Sequence, residues 1–186
     1  MSEFWTLHGA LVTANGSATV ERRDIGGHPA TMVLAVAGDL ALPMLESVKD
    51  AFLKLARVDE ASVAGLLATL TPPWVSGAAA AVSHGATVTT AIAGAGSCWR
   101  QHGGELVDTS AGAHPMAWGD GWLVSADFRP EAGDFFGTGT VDPDAASASP
   151  TPAFANDTLD DALRAALGDA AATVAATWVG ELRARR

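Results

Sequence analysis

The chain has 186 residues, 48% of them hydrophobic and 17% charged, enough apolar content for one domain with a substantial core. Its 21 acidic against 11 basic residues give a net charge of −10, which argues against non-specific binding to nucleic acid or to an anionic membrane. A single cysteine, Cys98, excludes an internal disulfide and a cysteine-based zinc site.

The opening MSEFWTLHG lacks the basic and apolar regions of a signal peptide, and Gly and Pro break every apolar run well short of a membrane span. A cytoplasmic protein of one domain, 1–186, is the expectation. Phe4–Thr13 alternates weakly and leads to Asn15-Gly16, a two-residue hairpin signal, so Ala18–Arg22 reads as the return strand. Ala30–Ala37 is a continuous apolar run of strand length, closed by Gly38-Asp39.

Pro43 suits a first helical turn, and Leu45, Val48, Phe52, Leu53 and Leu55 recur at helical spacing after it. Asp59 or Ser62 caps a second helix carrying Val63, Leu66, Leu67 and Leu70, and Thr71-Pro72-Pro73 stops it. Next come Ala78–Ser83, Ala86–Ile92, Ser97–Gln101 and Glu105–Asp108, short strands jointed by Gly turns, which read as one antiparallel meander. Trp122–Phe128 reads as a further strand after the Gly119-Asp120-Gly121 turn. Residues 131–155 are expected to form an irregular loop. A long amphipathic helix over 157–184, marked by Leu159, Leu163, Leu167, Val174, Trp178 and Leu182, is expected to close the chain.

Strands grouped apart from helices exclude a doubly wound parallel sheet. The predicted fold is α+β: two antiparallel β-sheets packed as a sandwich with helices on the outside.

This order, and some residues within it, resemble the metal-dependent protein phosphatases of the PPM (type-2C) family. Ser76-Gly77, His84-Gly85, Thr87–Ala93, Gly94-Ala95-Gly96-Ser97, Trp99 and His102-Gly103-Gly104-Glu105-Leu106 fall at positions matching the family's opening strands and Gly-Asp-Ser-Arg-type corner. Leu34–Asp39 sits where the family has a strand ending in Asp-Gly. Gly119-Asp120 followed by Leu123–Asp127 sits where it has Gly-Asp and then a strand ending in Ser-Asp-Gly.

The resemblance implies a site in which carboxylates at strand ends hold two divalent metals and a metal-bound water attacks a phosphoryl group. Several of the acids it implies are displaced or missing. The first Asp-Gly is reversed to Gly38-Asp39, the later one is shifted so that Ala126 precedes Asp127, and the corner carries Gly94, Ala95 and Gly96 without an acid. With a helix at the chain's end, the family's final Asp-Asn strand is also missing. The candidate metal ligands are therefore Asp39 and Asp127, with Asp24 and Asp120 as possible supports. A one-residue shift along a strand turns a side chain to the opposite face, although at a strand end the backbone can re-aim it.

Other chemistry finds little footing. His8, His28, His84, His102 and His114 make no paired metal-ligand spacing and read as turn or surface residues. Cys98, between Ser97 and Trp99, reads as a small buried hydrophobe. Gly94-Ala95-Gly96 lacks the lysine and the following helix of a phosphate loop. One of Trp118 and Trp122, flanking a tight turn, is expected to be exposed to a partner.

The reading is a PPM phosphatase-like domain, catalytically degenerate, acting as a regulatory or protein-interaction module with a protein partner and no cofactor. One alternative is an active divergent phosphatase for phosphoserine or phosphothreonine that uses Mg²⁺ or Mn²⁺. Another is a small-molecule enzyme or binding protein on an unrelated α+β fold, with the 131–155 loop as a lid. Whether the chain is an enzyme stays open.

Overall fold

In the computed structural model, residues 4–13, 16–70, 74–94, 96–102, 105–109, 113, 115–129, 131, 135–139 and 176–185 are described. They form β1 (Phe4–Thr13), β2 (Gly16–Ile25), β3 (His28–Ala37), α1 (Ala41–Phe52), α2 (Glu60–Ala68), β4 (Gly77–His84) and β5 (Thr87–Gly94). Then come β6 (Ser97–His102), β7 (Glu105–Asp108), β8 (Met116–Trp118), β9 (Gly121–Phe128), β10 (Phe135–Gly139) and β11 (Ala176–Arg185).

The strands make a six-stranded antiparallel sheet, ordered β2-β3-β4-β5-β9-β8, and a five-stranded one, ordered β1-β11-β10-β6-β7. Both helices cover one face of the six-stranded sheet, which we call outer. Leu45, Val48 and Phe52 of α1 and Val63, Leu66 and Leu67 of α2 pack there with Met32, Leu34, Val36, Ala78, Ala80 and Ala91. The opposite, inner face carries Val33, Ala79, Ala81 and Val88, which pack with Cys98 from the other sheet. Because β3 and β4 are buried on both faces, their sequences read as continuous apolar runs instead of alternating ones. The burial of Cys98 agrees with its reading as a small hydrophobe.

Helix α2 starts on a capping box: the Asp59 carboxylate accepts from the Ser62 N–H, and the Ser62 hydroxyl accepts from the Asp59 N–H. Arg23 donates to the Phe52 carbonyl at 3.0 Å, placing a cation at the C-terminal end of α1. None of the helices among the described residues is long and apolar enough to cross a membrane.

Four sequence expectations need correction. First, β1 and β2 are not a hairpin: β1 pairs with β11 and β2 with β3, so the chain changes sheets around Asn15-Gly16. Secondly, the four strands after α2 are not one meander. β4 and β5 pair with each other, but β5 then pairs with β9, while β6 pairs with β7 and β10 in the other sheet. The switch falls at the Gly94–Gly96 corner. A side chain on Gly96 would overlap the Ala78 carbonyl, so the chain crosses close over β4 where only glycine fits.

Thirdly, 176–185 is a strand and not the end of a helix; the remainder of the predicted helix, 157–175, lies outside the described residues. Trp178 and Leu182 satisfy a helical i,i+4 spacing and a strand's i,i+4 equally well, and hydrogen bonding to β1 on one side and β10 on the other decides for the strand. The terminal strand expected to be missing is thus present, although it contains neither Asp nor Asn. Fourthly, 135–139 of the expected loop is strand β10; 132–134 and 140–155 are outside the described residues.

Candidate functional site

The register of the six-stranded sheet fixes where each candidate carboxylate sits. At one end lie Ala37, Gly77 and Gly94, paired in a row; at the other lie His84 and Thr87, with His28 and Ile25 close by. Asp39 follows Gly38 beyond the Ala37 end, exposed, in the turn into α1. Asp127 lies toward the opposite end, in a row with Thr89, Val82 and Met32.

From Met32 to Ala37 the strand advances about 16 Å at ~3.3 Å per residue, and three strand spacings of ~4.8 Å separate β3 from β9. Asp39 and Asp127 therefore cannot share an ion or a pair of ions about 4 Å apart. The supports do no better. Asp24 is near the His84 end but on β2, four strands from Asp127, and Asp120 is in the β8–β9 turn at the Ala37 end, three strands from Asp39. Among the described residues, no three His, Cys, Asp or Glu side chains gather closely enough to hold a metal.

Orientation separates them further. Leu123 packs in the outer cluster and Phe128 in the inner one, so alternation along β9 sends Ser125 and Asp127 outward and Val124 and Ala126 inward. The one-residue shift read in the sequence has the physical consequence expected of it. Ala126 takes the inward position, and Asp127 turns to the helix side, where it accepts a 2.5 Å hydrogen bond from the buried Thr89 hydroxyl. Nothing in the sequence signalled this Thr89–Asp127 pair, because it depends on the β5–β9 register.

The inner face keeps a small hydroxyl cluster. Thr90 Oγ1 donates to the Ala126 carbonyl at 3.2 Å and lies 3.4 Å from Thr109 Oγ1, which donates to the Cys98 carbonyl at 3.0 Å. Its partners are backbone oxygens of the two sheets, so it ties them together and offers no nucleophile with a base beside it. Ser83 Oγ, also on the inner face, is buried without a hydrogen-bond partner among the described residues. His84, half-buried, meets the Ile25 carbonyl at 3.0 Å, and the exposed His28 stands edge-on to it with ring centroids 5.8 Å apart. Of the other histidines, His8 and His102 have no described side chain and His114 lies outside the described residues.

The Ala37 end is closed by backbone. Ser76 N–H donates to the Ala37 carbonyl at 2.9 Å and Leu40 N–H to the Trp74 carbonyl at 3.3 Å. Gly38 has φ +130°, and a Cβ there would press on Trp74 O and approach Val75 Cα to 2.8 Å. Gly94 has φ +56°, and its Cβ would stand 2.5 Å from Ser76 O and 2.9 Å from the Trp118 ring. Trp118 is buried there and donates to the Leu70 carbonyl at 3.1 Å, whereas Trp122 is 65% exposed. The corner thus has no room for an acid at Gly94 or Gly96; Ala95 is outside the described residues.

No protein-family model matches the chain, and no curated protein matches it in sequence. Solved structures do match in fold. The phosphatase domain of the cell-fate determinant SpoIIE from Bacillus subtilis aligns over 100% of this chain and 95% of its own, with a TM-score of 0.60 at 10% identity. PppA, a regulatory component of the T6SS in Pseudomonas aeruginosa, aligns over 99% of both chains, with a TM-score of 0.58 at 14% identity. RsbX, in complex with magnesium, covers 96% of this chain and 94% of its own, with a TM-score of 0.58 at 12% identity. Such likenesses establish the fold of the chain, that of the PPM phosphatase domains.

Proposed function

We propose that this PPM-type phosphatase-like domain has lost metal-dependent phosphatase chemistry and acts by binding, as a regulatory or protein-interaction module in the cytoplasm. On this reading the two sheets form the fold's sandwich, with helices outside. The observation that carries the proposal is the outward turn of Asp127 onto Thr89, with Ala126 in the inward position and Asp39 beyond the far end of the sheet.

The divalent metals that the fold implies do not fit the residues present. Mg²⁺ or Mn²⁺ prefers several hard oxygen ligands converging at about 2.1 Å. The four candidate carboxylates diverge to both ends of the sheet, and the corner glycines exclude an added side chain. No hydrolytic step is therefore assigned to them.

The test is hydrolysis of p-nitrophenyl phosphate by the full chain with Mg²⁺ or Mn²⁺. The expected result is no turnover above the metal-only blank and no shift in thermal unfolding with either ion. Mn²⁺-stimulated turnover that scales with protein concentration would overturn the proposal.

A further inference from the structure

Three large apolar side chains stand exposed where β3 passes into α1 and the chain comes back from α2: Leu40 at 37%, Leu42 at 62% and Trp74 at 52%. Leu40 and Trp74 are joined through the Leu40 N–H to Trp74 carbonyl bond, and Leu42 follows two residues after Leu40 in the first turn of α1. The backbone beneath is held firmly by the Gly38 contact and the Ser76–Ala37 hydrogen bond, so the three are presented on a fixed base.

The charge in the two segments that carry them has one sign. Residues 38–48 contain Asp39 and Glu46 and no base, and residues 69–78 contain no charge at all. Lys49, one helical turn beyond Leu45, sits between Glu21 and Glu46 at 3.2 Å from each, which leaves that trio net negative. Asp120 is exposed at the same end of the sheet, and the whole chain carries −10. Apolar surface within a one-sign field selects a partner that is apolar and oppositely charged.

We propose that Leu40, Leu42 and Trp74 form a docking platform for a cationic amphipathic segment of a partner protein. Its apolar side chains cover the three residues while its lysines or arginines face Asp39 and Glu46. This rests on the reading of the chain as an interaction module and names the surface and the partner chemistry.

The probe is a fluorescently labelled leucine–lysine peptide of about 14 residues, long enough for roughly four helical turns, compared with a scrambled peptide of the same composition. Anisotropy at low ionic strength is expected to give a Kd on the order of micromolar for the amphipathic peptide and weaker binding of the scrambled one. Leu42→Arg and Trp74→Ala should each weaken binding by about tenfold or more, while Trp122→Ala, which removes a still more exposed tryptophan on β9, leaves it unchanged. Added salt should weaken it as well. Thermal unfolding confirms that each variant is folded.

Equal binding of the scrambled peptide, platform variants that bind like the parent, or an equal loss in Trp122→Ala would overturn the platform. So would sedimentation showing a dimer that Trp74→Ala dissolves, since a second copy would then be the occupant. Phosphatase assays are independent of this outcome: a silent platform on an inactive protein defeats only the platform, whereas Mn²⁺-dependent turnover defeats the reading beneath it.

Discussion

Thr89 Oγ1 donates to Asp127 Oδ1 across the β5–β9 pair at 2.5 Å, joining a buried hydroxyl to an exposed carboxylate on the outer face. The bond gives the acid a structural role and gives Thr89, only 2% exposed, the partner that a buried hydroxyl needs.

Removing it should be felt in stability and not in metal binding. Asp127→Asn weakens a charge-assisted hydrogen bond, and Thr89→Val deletes the donor. Each is expected to lower unfolding stability by about 1–2 kcal/mol, read from the urea midpoint. Neither should change the thermal response to Mn²⁺. A variant that abolished a Mn²⁺ shift seen in the parent would contradict the assignment.

Ser83 predicts the opposite sign. Its hydroxyl is buried against the inner face with no hydrogen-bond partner among the described residues, so it loses its water without a replacement there. Ser83→Ala should leave stability unchanged or raise it by up to about 1 kcal/mol. A clear loss of stability in chemical denaturation would mean that the hydroxyl is satisfied after all.

The glycines at the Ala37 end can be tested against those at the other end. Gly38→Ala drives a Cβ into the Trp74–Ser76 backbone at a positive φ, and Gly96→Ala drives one into the Ala78 carbonyl. Each should cost about 2–4 kcal/mol, because backbone is what must move. Gly26→Ala, with open space around it and strain from φ +60° alone, should cost only about 1–2 kcal/mol. Thermal unfolding of the three variants checks the ranking.

Asp59 carries a pH dependence. The Ser62 backbone N–H bonded to its carboxylate holds its pKa below the ordinary value of 3.8, with Arg57 at 2.7 Å acting in the same direction. A depressed folded pKa means that the contribution is fully present above the unfolded value. It is lost as pH falls below 3.8 and through the folded pKa. Asp59→Ala should cost about 1 kcal/mol near neutral pH, the usual worth of an N-cap. That difference should shrink in urea titrations carried out in strong acid.

The elements that sequence made legible are those whose signal is local. The apolar run before Gly38, the helical spacing of Leu45, Val48 and Phe52, the cap before Val63 and the strand after Gly121 all appear where their residues predict them. Three misreadings share one cause. Asn15-Gly16 and Gly94–Gly96 announce turns but cannot say whether the strands beyond them pair with each other or cross to another sheet. Trp178 and Leu182 fit two periods, and neighbouring strands choose between them.

The candidate site divides in the same way. Sequence alone determined that the acids are displaced: Asp39 and Asp127 are each one place from where the resembled family has them, and the corner carries none. It also determined the consequence for a strand, since a period of two turns a shifted side chain over. Only the tertiary structure decided that Asp39 and Asp127 lie toward opposite ends of one sheet, and that Thr89 waits opposite Asp127 on the outer face. Alternation along a strand is written into consecutive residues. Which strands become neighbours, and in which register, is set by burial across both faces of the sheet, through contacts between residues far apart in the chain.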